Sequence, residues 1–127
     1  MDPYAHYRQQ AASTASPAQL VLMLYDGALA EISRAQLALT APADASAAHE
    51  ALSRAQRIVL ELTVTLDHER GGDVAANLAQ LYGYVTDRLV EANVGKDATP
   101  LSSATGVLRD LRDAWAQACV GAVPVAG

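Results

Sequence analysis

The chain has 127 residues and a mass of 13.3 kDa, enough for one domain with its own core and without disulfide or metal staples. Apolar residues make up 51%, yet 27 are Ala and none is Phe, which favours closely packed helices cored by Leu and Val and excludes a wholly disordered chain. The net charge is −5, and the nine basic residues, all Arg except Lys96, are scattered rather than gathered into the patch that a nucleic-acid module needs.

Residues 1–15 form a polar leader of small residues carrying Tyr4 and Tyr7. Tyr4, Tyr7 and Ala11 share one face if the leader turns helical, but a helix so short is stable only when docked. The gain from burying two tyrosines and the cost of ordering the backbone are each on the order of 10 kcal/mol, so docking is expected to be marginal and a better ligand could displace it. A plain disordered N-terminus is the alternative.

Ser16-Pro17-Ala18-Gln19 then reads as a helix start, with Ser as N-cap, Pro at the first helical position and Gln completing a capping box. Leu20, Leu24, Ala28, Ile32, Ala35 and Leu39 recur at spacings of three or four and predict a helix over about 17–40. A second helix is expected from Ser46 to Arg70 on Leu52, Ala55, Val59, Leu62 and Leu66, ended by Gly71-Gly72. Asp73 is read as the cap of a third helix striped by Val74, Leu78, Leu81, Val85, Leu89 and Ala92. After a turn around Gly95, Thr99-Pro100 opens a fourth helix on Leu101, Ala104, Leu108, Leu111, Trp115 and Ala118, and 120–127 is a tail. Four helices with short connections predict one all-α domain spanning 1–127, an antiparallel up-down-up-down four-helix bundle with a short N-terminal cap segment.

Catalytic and metal-binding patterns are missing. No Glu has a His three residues on, as a di-iron bundle requires, and the consecutive Asp67, His68 and Glu69 point in different directions on a helix. There is no Gly-x-Ser-x-Gly elbow, and Gly95-Lys96 lacks the remainder of a phosphate-binding loop. Cys119 reads as a small half-buried apolar residue. The expectation is therefore no enzyme, no cofactor and no metal. With no apolar run of 18 residues, no membrane insertion is expected; with no signal-like start and one Cys, the cytoplasm is the default compartment.

Surface carries the remaining signal. Leu20 to Tyr25 are six consecutive apolar residues and cover the first helix all round, and Leu81, Tyr82, Tyr84 and Val85 widen the third helix's apolar face. Such excess marks either a partner site or a face that the leader covers. Asn77, a poor helix former early in the third helix, is open to hydrogen bonding with a neighbouring backbone, with a ligand's main chain, or with solvent.

In order along the chain, Pro3-Tyr4-Ala5-His6-Tyr7, TASPAQLVLMLYDGAL (14–29) and LDHERGGDVAANLAQLYGYV (66–85) resemble the sequence motifs of the flagellar export chaperone FliS family, the secretion chaperones of flagellin. Arg88-Leu89, Ala92-Asn93 and Ala114-Trp115 continue the likeness. The resemblance implies an antiparallel bundle that binds the C-terminal segment of flagellin, prevents premature polymerisation in the cytoplasm and supports delivery to the flagellar export gate. It matches Tyr4 and Tyr7 to a cap element. Thr14, Ser16, Pro17, Leu20, Leu24 and Tyr25 match the first signature, and Gly71, Gly72, Asn77, Leu78, Leu81 and Tyr82 the second. Ala11-Ala12-Ser13 stands where many members carry an aliphatic residue, which implies weaker leader packing. A monomer or weak dimer is expected. The alternatives are a helical adaptor or regulator that takes another partner helix in the same groove, and a metal-binding bundle.

Overall fold

In the computed structural model, residues 15–122 are described; Tyr4, Tyr7 and the rest of residues 1–14 lie outside them, as do residues 123–127. Four helices follow one another: α1 (Pro17–Ala38), α2 (Ala45–Val64), α3 (His68–Gly95) and α4 (Thr99–Ala122). Each packs on its neighbours in sequence, and α4 returns to α1, which closes the ring of an antiparallel four-helix bundle. The short connections make consecutive helices antiparallel, and long-range contacts join the pairs. Glu31 of α1 meets Arg54 of α2, His49 of α2 meets Asn93 of α3, and Asp26 of α1 meets Arg112 of α4.

The capping box expected at Ser16 is present: the Ser16 hydroxyl accepts from the Gln19 N–H at 3.2 Å, and the Gln19 side-chain oxygen accepts from the Ser16 N–H at 2.9 Å. Asp44 caps α2 by accepting from the Ala47 N–H at 3.0 Å. At Gly27, which replaces a side chain with close approach, an added Cβ would lie 3.4 Å from Ile58 Cδ1 of α2.

Four sequence expectations shift. The second helix ends at Val64 rather than Arg70, because Thr63-Val64-Thr65 are β-branched and Asp67 opens a new turn by accepting from the Arg70 N–H at 3.0 Å. The third helix is therefore capped by Asp67, and Gly71-Gly72 is a kink within it: Gly72 has φ 49° and ψ −120°, after which the long run begins at Asp73. At the fourth start, Asp97 rather than Thr99 is the capping side chain, accepting from the Thr99 N–H and hydroxyl at 3.0 and 2.8 Å. Finally, α4 runs on to Ala122 instead of giving way to a tail at 120.

The core holds Tyr25, Ala28, Ile32 and Ala35 from α1, Leu52, Ala55, Val59 and Leu62 from α2, Tyr82, Val85, Leu89 and Ala92 from α3, and Leu101, Ala104 and Leu108 from α4. Small Ala side chains at these positions let the helices approach closely. The α3 stripe turns by one residue in its first half: Ala75 and Tyr82 are buried, whereas Val74 and Leu81 face outward at 66% and 38% exposure. Leu20 is likewise outward at 37%, and Tyr25 takes the buried place. Glu31, a buried carboxylate in α1, is held by Arg34 and Arg54, so its charge is paired at both oxygens.

A candidate guest cleft at the Tyr25–Tyr82 end of the bundle

At the end of the bundle where α1 begins and α4 finishes, a cleft of about 360 Å³ opens between α1, the start of α3 and the last turns of α4. Local sequence explains each wall. Val21 and Tyr25 come from α1, one turn apart. Leu66 sits in the short connection between the α2 C-cap and Asp67, where Thr65 stops the helix by giving its hydroxyl to the Leu62 carbonyl at 2.7 Å. The Asp67–Gly71 turn forms the rim, with Arg70 and Asp67 in a loose ion pair at 3.8 Å. Val74, Ala75, Leu78 and Tyr82 line the α3 side at helical spacing. Trp115 closes the α4 side, its indole Nε1 donating to the Ala18 carbonyl at 2.8 Å.

Gly71 matters to the rim because a Cβ there would sit 2.9 Å from the Ala75 Cβ, so any larger residue pushes the turn off α3. The two tyrosines meet across the bundle diagonal. Their hydroxyls are 2.5 Å apart and their ring centroids 6.3 Å, tilted by 53°. Burial pushes both phenols above their ordinary pKa, and the Tyr25 contact raises Tyr82 further.

Of the residues singled out in the sequence, the cleft brings together Tyr25, Gly71, Leu78 and Tyr82. Gly72 supplies the kink behind the rim. Leu24 packs against the core, Leu20 and Leu81 are outward, and Asn77 is exposed. Tyr4 and Tyr7 lie outside the described residues. Val21 belongs to the apolar run read from the sequence as excess surface, whereas sequence reasoning overlooked Leu66, Val74, Arg70 and Trp115 as lining residues. The lone Trp was the available signal, since a large ring with one polar tip seldom sits at a helix end without a partner. The excess apolar face is present but dispersed. Leu81 and Tyr84 are part-exposed, Arg88 lies over the Tyr84 ring at 5.5 Å, and Leu60, Val64 and Val74 also face out.

A second groove of about 510 Å³ runs between α2 and α3, lined by Arg57, Leu60, Thr63, Ala79, Gly83 and Asp87 among others. From the motifs it takes only Ala79 and Gly83 of the 66–85 stretch, and no residue of the 14–29 stretch. Among the described residues no cluster of His, Cys, Asp or Glu could hold a metal ion, and no helix is long and apolar enough to cross a membrane.

These features define an all-helical bundle with an apolar cleft, lined by a buried phenol pair, on which residues of both motifs meet. The flagellar protein FliS family model matches residues 1–122. A flagellar secretion chaperone FliS of Salmonella typhimurium is 42% identical over 110 residues, covering 86% of this chain and 81% of that protein. A flagellar secretion chaperone FliS of Bacillus subtilis is 39% identical over 117 residues, covering 92% and 86%. A solved structure described as a flagellar chaperone from bacteria shares the fold with a TM-score of 0.77 at 21% identity, over 93% of this chain and 95% of that one. The chain belongs to the FliS family of flagellar secretion chaperones.

Proposed function

We propose that this protein is a non-catalytic cytoplasmic chaperone that holds the C-terminal segment of flagellin in the Tyr25–Tyr82–Trp115 cleft, keeps it from polymerising, and supports its passage to the export gate. The observation that carries this reading is the convergence of both signature motifs on one apolar cleft: Tyr25 from the first, Gly71, Leu78 and Tyr82 from the second. Flagellin's terminal segment, as the resemblance implies, is disordered before assembly and folds amphipathically in the filament. An apolar cleft flanked by helices accepts such a segment by helix-in-groove packing, provided the contact exceeds the cost of ordering the guest. The outward Leu20 and Leu81 extend the apolar path beyond the cleft.

The leader with Tyr4 and Tyr7 is the competitor for the same surface. A docked leader lowers apparent affinity by the fraction of clefts left open. Calorimetric titration of a flagellin C-terminal fragment into the full chain and into a variant lacking residues 1–13 tests both points. Binding by the full chain, equal or tighter in the shortened variant, is expected; loss of all affinity on shortening overturns the competitor role. Flagellin lacking its terminal segment is expected not to co-purify with the chaperone, and undiminished co-purification overturns the proposal.

A further inference from the structure

The paired tyrosine hydroxyls leave one hydrogen without a place. Each phenol carries one hydroxyl hydrogen and can also accept. With the oxygens 2.5 Å apart, one hydrogen lies between them and the other must go to a third atom. Among the described residues neither hydroxyl has a second hydrogen-bond partner. Both residues are 3% exposed and both line the cleft. Burial keeps both phenols protonated well beyond neutral pH, so neither hydrogen is lost to solution there.

Because both residues line the cleft, a guest that fills it and excludes water must supply the oxygen for the surplus hydrogen itself, since a buried donor left unpaired carries its full desolvation penalty. We infer that the Tyr25–Tyr82 pair is a specificity element: it selects a guest segment bearing one neutral hydrogen-bond acceptor, a side-chain amide or hydroxyl oxygen, within an otherwise apolar face. A main-chain carbonyl is a poor candidate in a helical guest, since its own helix already uses it. A carboxylate would have to shed its hydration among Val21, Leu66, Leu78 and Trp115, which disfavours it. The inference rests on the cleft being the guest site proposed above, and it adds what the guest must carry.

The test uses two probes with the full chain and with the Y25F/Y82F variant, whose rings keep their shape. One probe is a flagellin C-terminal fragment whose Asn, Gln, Ser and Thr residues are replaced one at a time by apolar residues. The other is a pair of synthetic amphipathic helices with leucines along one face and either Gln or Leu at its centre. The native chain is expected to bind the Gln helix about tenfold more tightly than the Leu helix, and one fragment substitution to weaken binding about tenfold; both differences vanish or reverse in Y25F/Y82F. A native chain that binds the Leu helix as well as the Gln helix, or the same Gln preference in Y25F/Y82F, overturns the inference. If the fragment does not bind but the Gln preference holds, the flagellin reading fails and the specificity element stands. If neither probe binds, both fail. Should Y25F/Y82F not fold, Y25F and Y82F replace it: each leaves one phenol hydrogen without its former partner, so the Gln preference is expected to persist in both, and its loss in both overturns the inference.

Discussion

Trp115 and Ala18, 97 residues apart in sequence, are joined by a 2.8 Å hydrogen bond from the indole nitrogen to the helix carbonyl. That bond pins the last turns of α4 against the first turn of α1 and sets the indole ring as one wall of the cleft. The ion pair from Arg112 Nε to Asp26 Oδ1, at 2.8 Å, runs between the same helices about one turn earlier on α4 and about two turns later on α1.

Replacing Trp115 by Phe removes the donor and part of the wall while keeping an aromatic ring. The expected cost is about 1–3 kcal/mol of stability, read by urea unfolding, together with weaker binding of the flagellin fragment. An unchanged midpoint and unchanged affinity would show that the indole neither anchors α4 nor lines the site.

Two glycines should respond in opposite directions to Ala. Gly72 holds φ 49° with ψ −120°, a conformation that an L side chain resists, so G72A is expected to lose about 1–3 kcal/mol and to disturb the Asp67–Gly71 rim. Gly106 is a helical position in α4 where an added Cβ meets nothing within 4 Å, so G106A is expected to gain up to about 1 kcal/mol. Thermal unfolding of the two variants beside the native chain decides; a stabilising G72A would remove the case for a required kink.

Glu31 is buried and takes Arg34 on one oxygen and Arg54 on the other, whereas both arginines stay about half exposed. Glu31→Ala removes both charge-assisted bonds and opens a small void at the α1–α2 contact, with an expected loss of about 2–4 kcal/mol. Arg34→Ala leaves Glu31 paired with Arg54 and should cost less, about 1 kcal/mol or under. Equal losses in the two variants would contradict this division.

The tyrosine pair predicts a dependence on alkaline pH. Both phenols are raised in the folded chain, chiefly by burial, above an ordinary value near 10. Above that value the unfolded chain releases hydroxyl protons that the folded chain retains, so stability is fully present below about pH 10 and declines as pH rises through the folded values. Urea unfolding at neutral and at strongly alkaline pH should show this decline, and Y25F/Y82F should flatten it. A decline of the same slope in both proteins would assign it to other groups.

Because the cleft lining is mostly apolar, the affinity for the flagellin fragment is expected to change little on adding moderate salt. A steep fall would move the recognition to Arg70 and Asp67 at the rim.

The number of helices, their order and most of their starts were legible in the sequence because those signals are local. Ser16 and Gln19 cap within one turn, and Leu52, Ala55, Val59 and Leu62 repeat on one face whatever they pack against. The region 63–73 was misread because three local signals compete there: a β-branched run, an Asp able to cap, and a glycine pair. The register of α3 was also beyond reach. Val74 and Leu81 look as apolar as Ala75 and Tyr82 and lie only one position away on the helix, so the rotation that buries Tyr82 is chosen by α1, α2 and α4 rather than by α3 itself. The cleft is a product of that choice. Tyr25 and Tyr82 stand 57 residues apart, and no local rule pairs them. Helix formation is a matter of neighbours along the chain, and it was readable; which polar tip meets which across a bundle depends on how four cylinders rotate to fill one core, and only the folded molecule decides that.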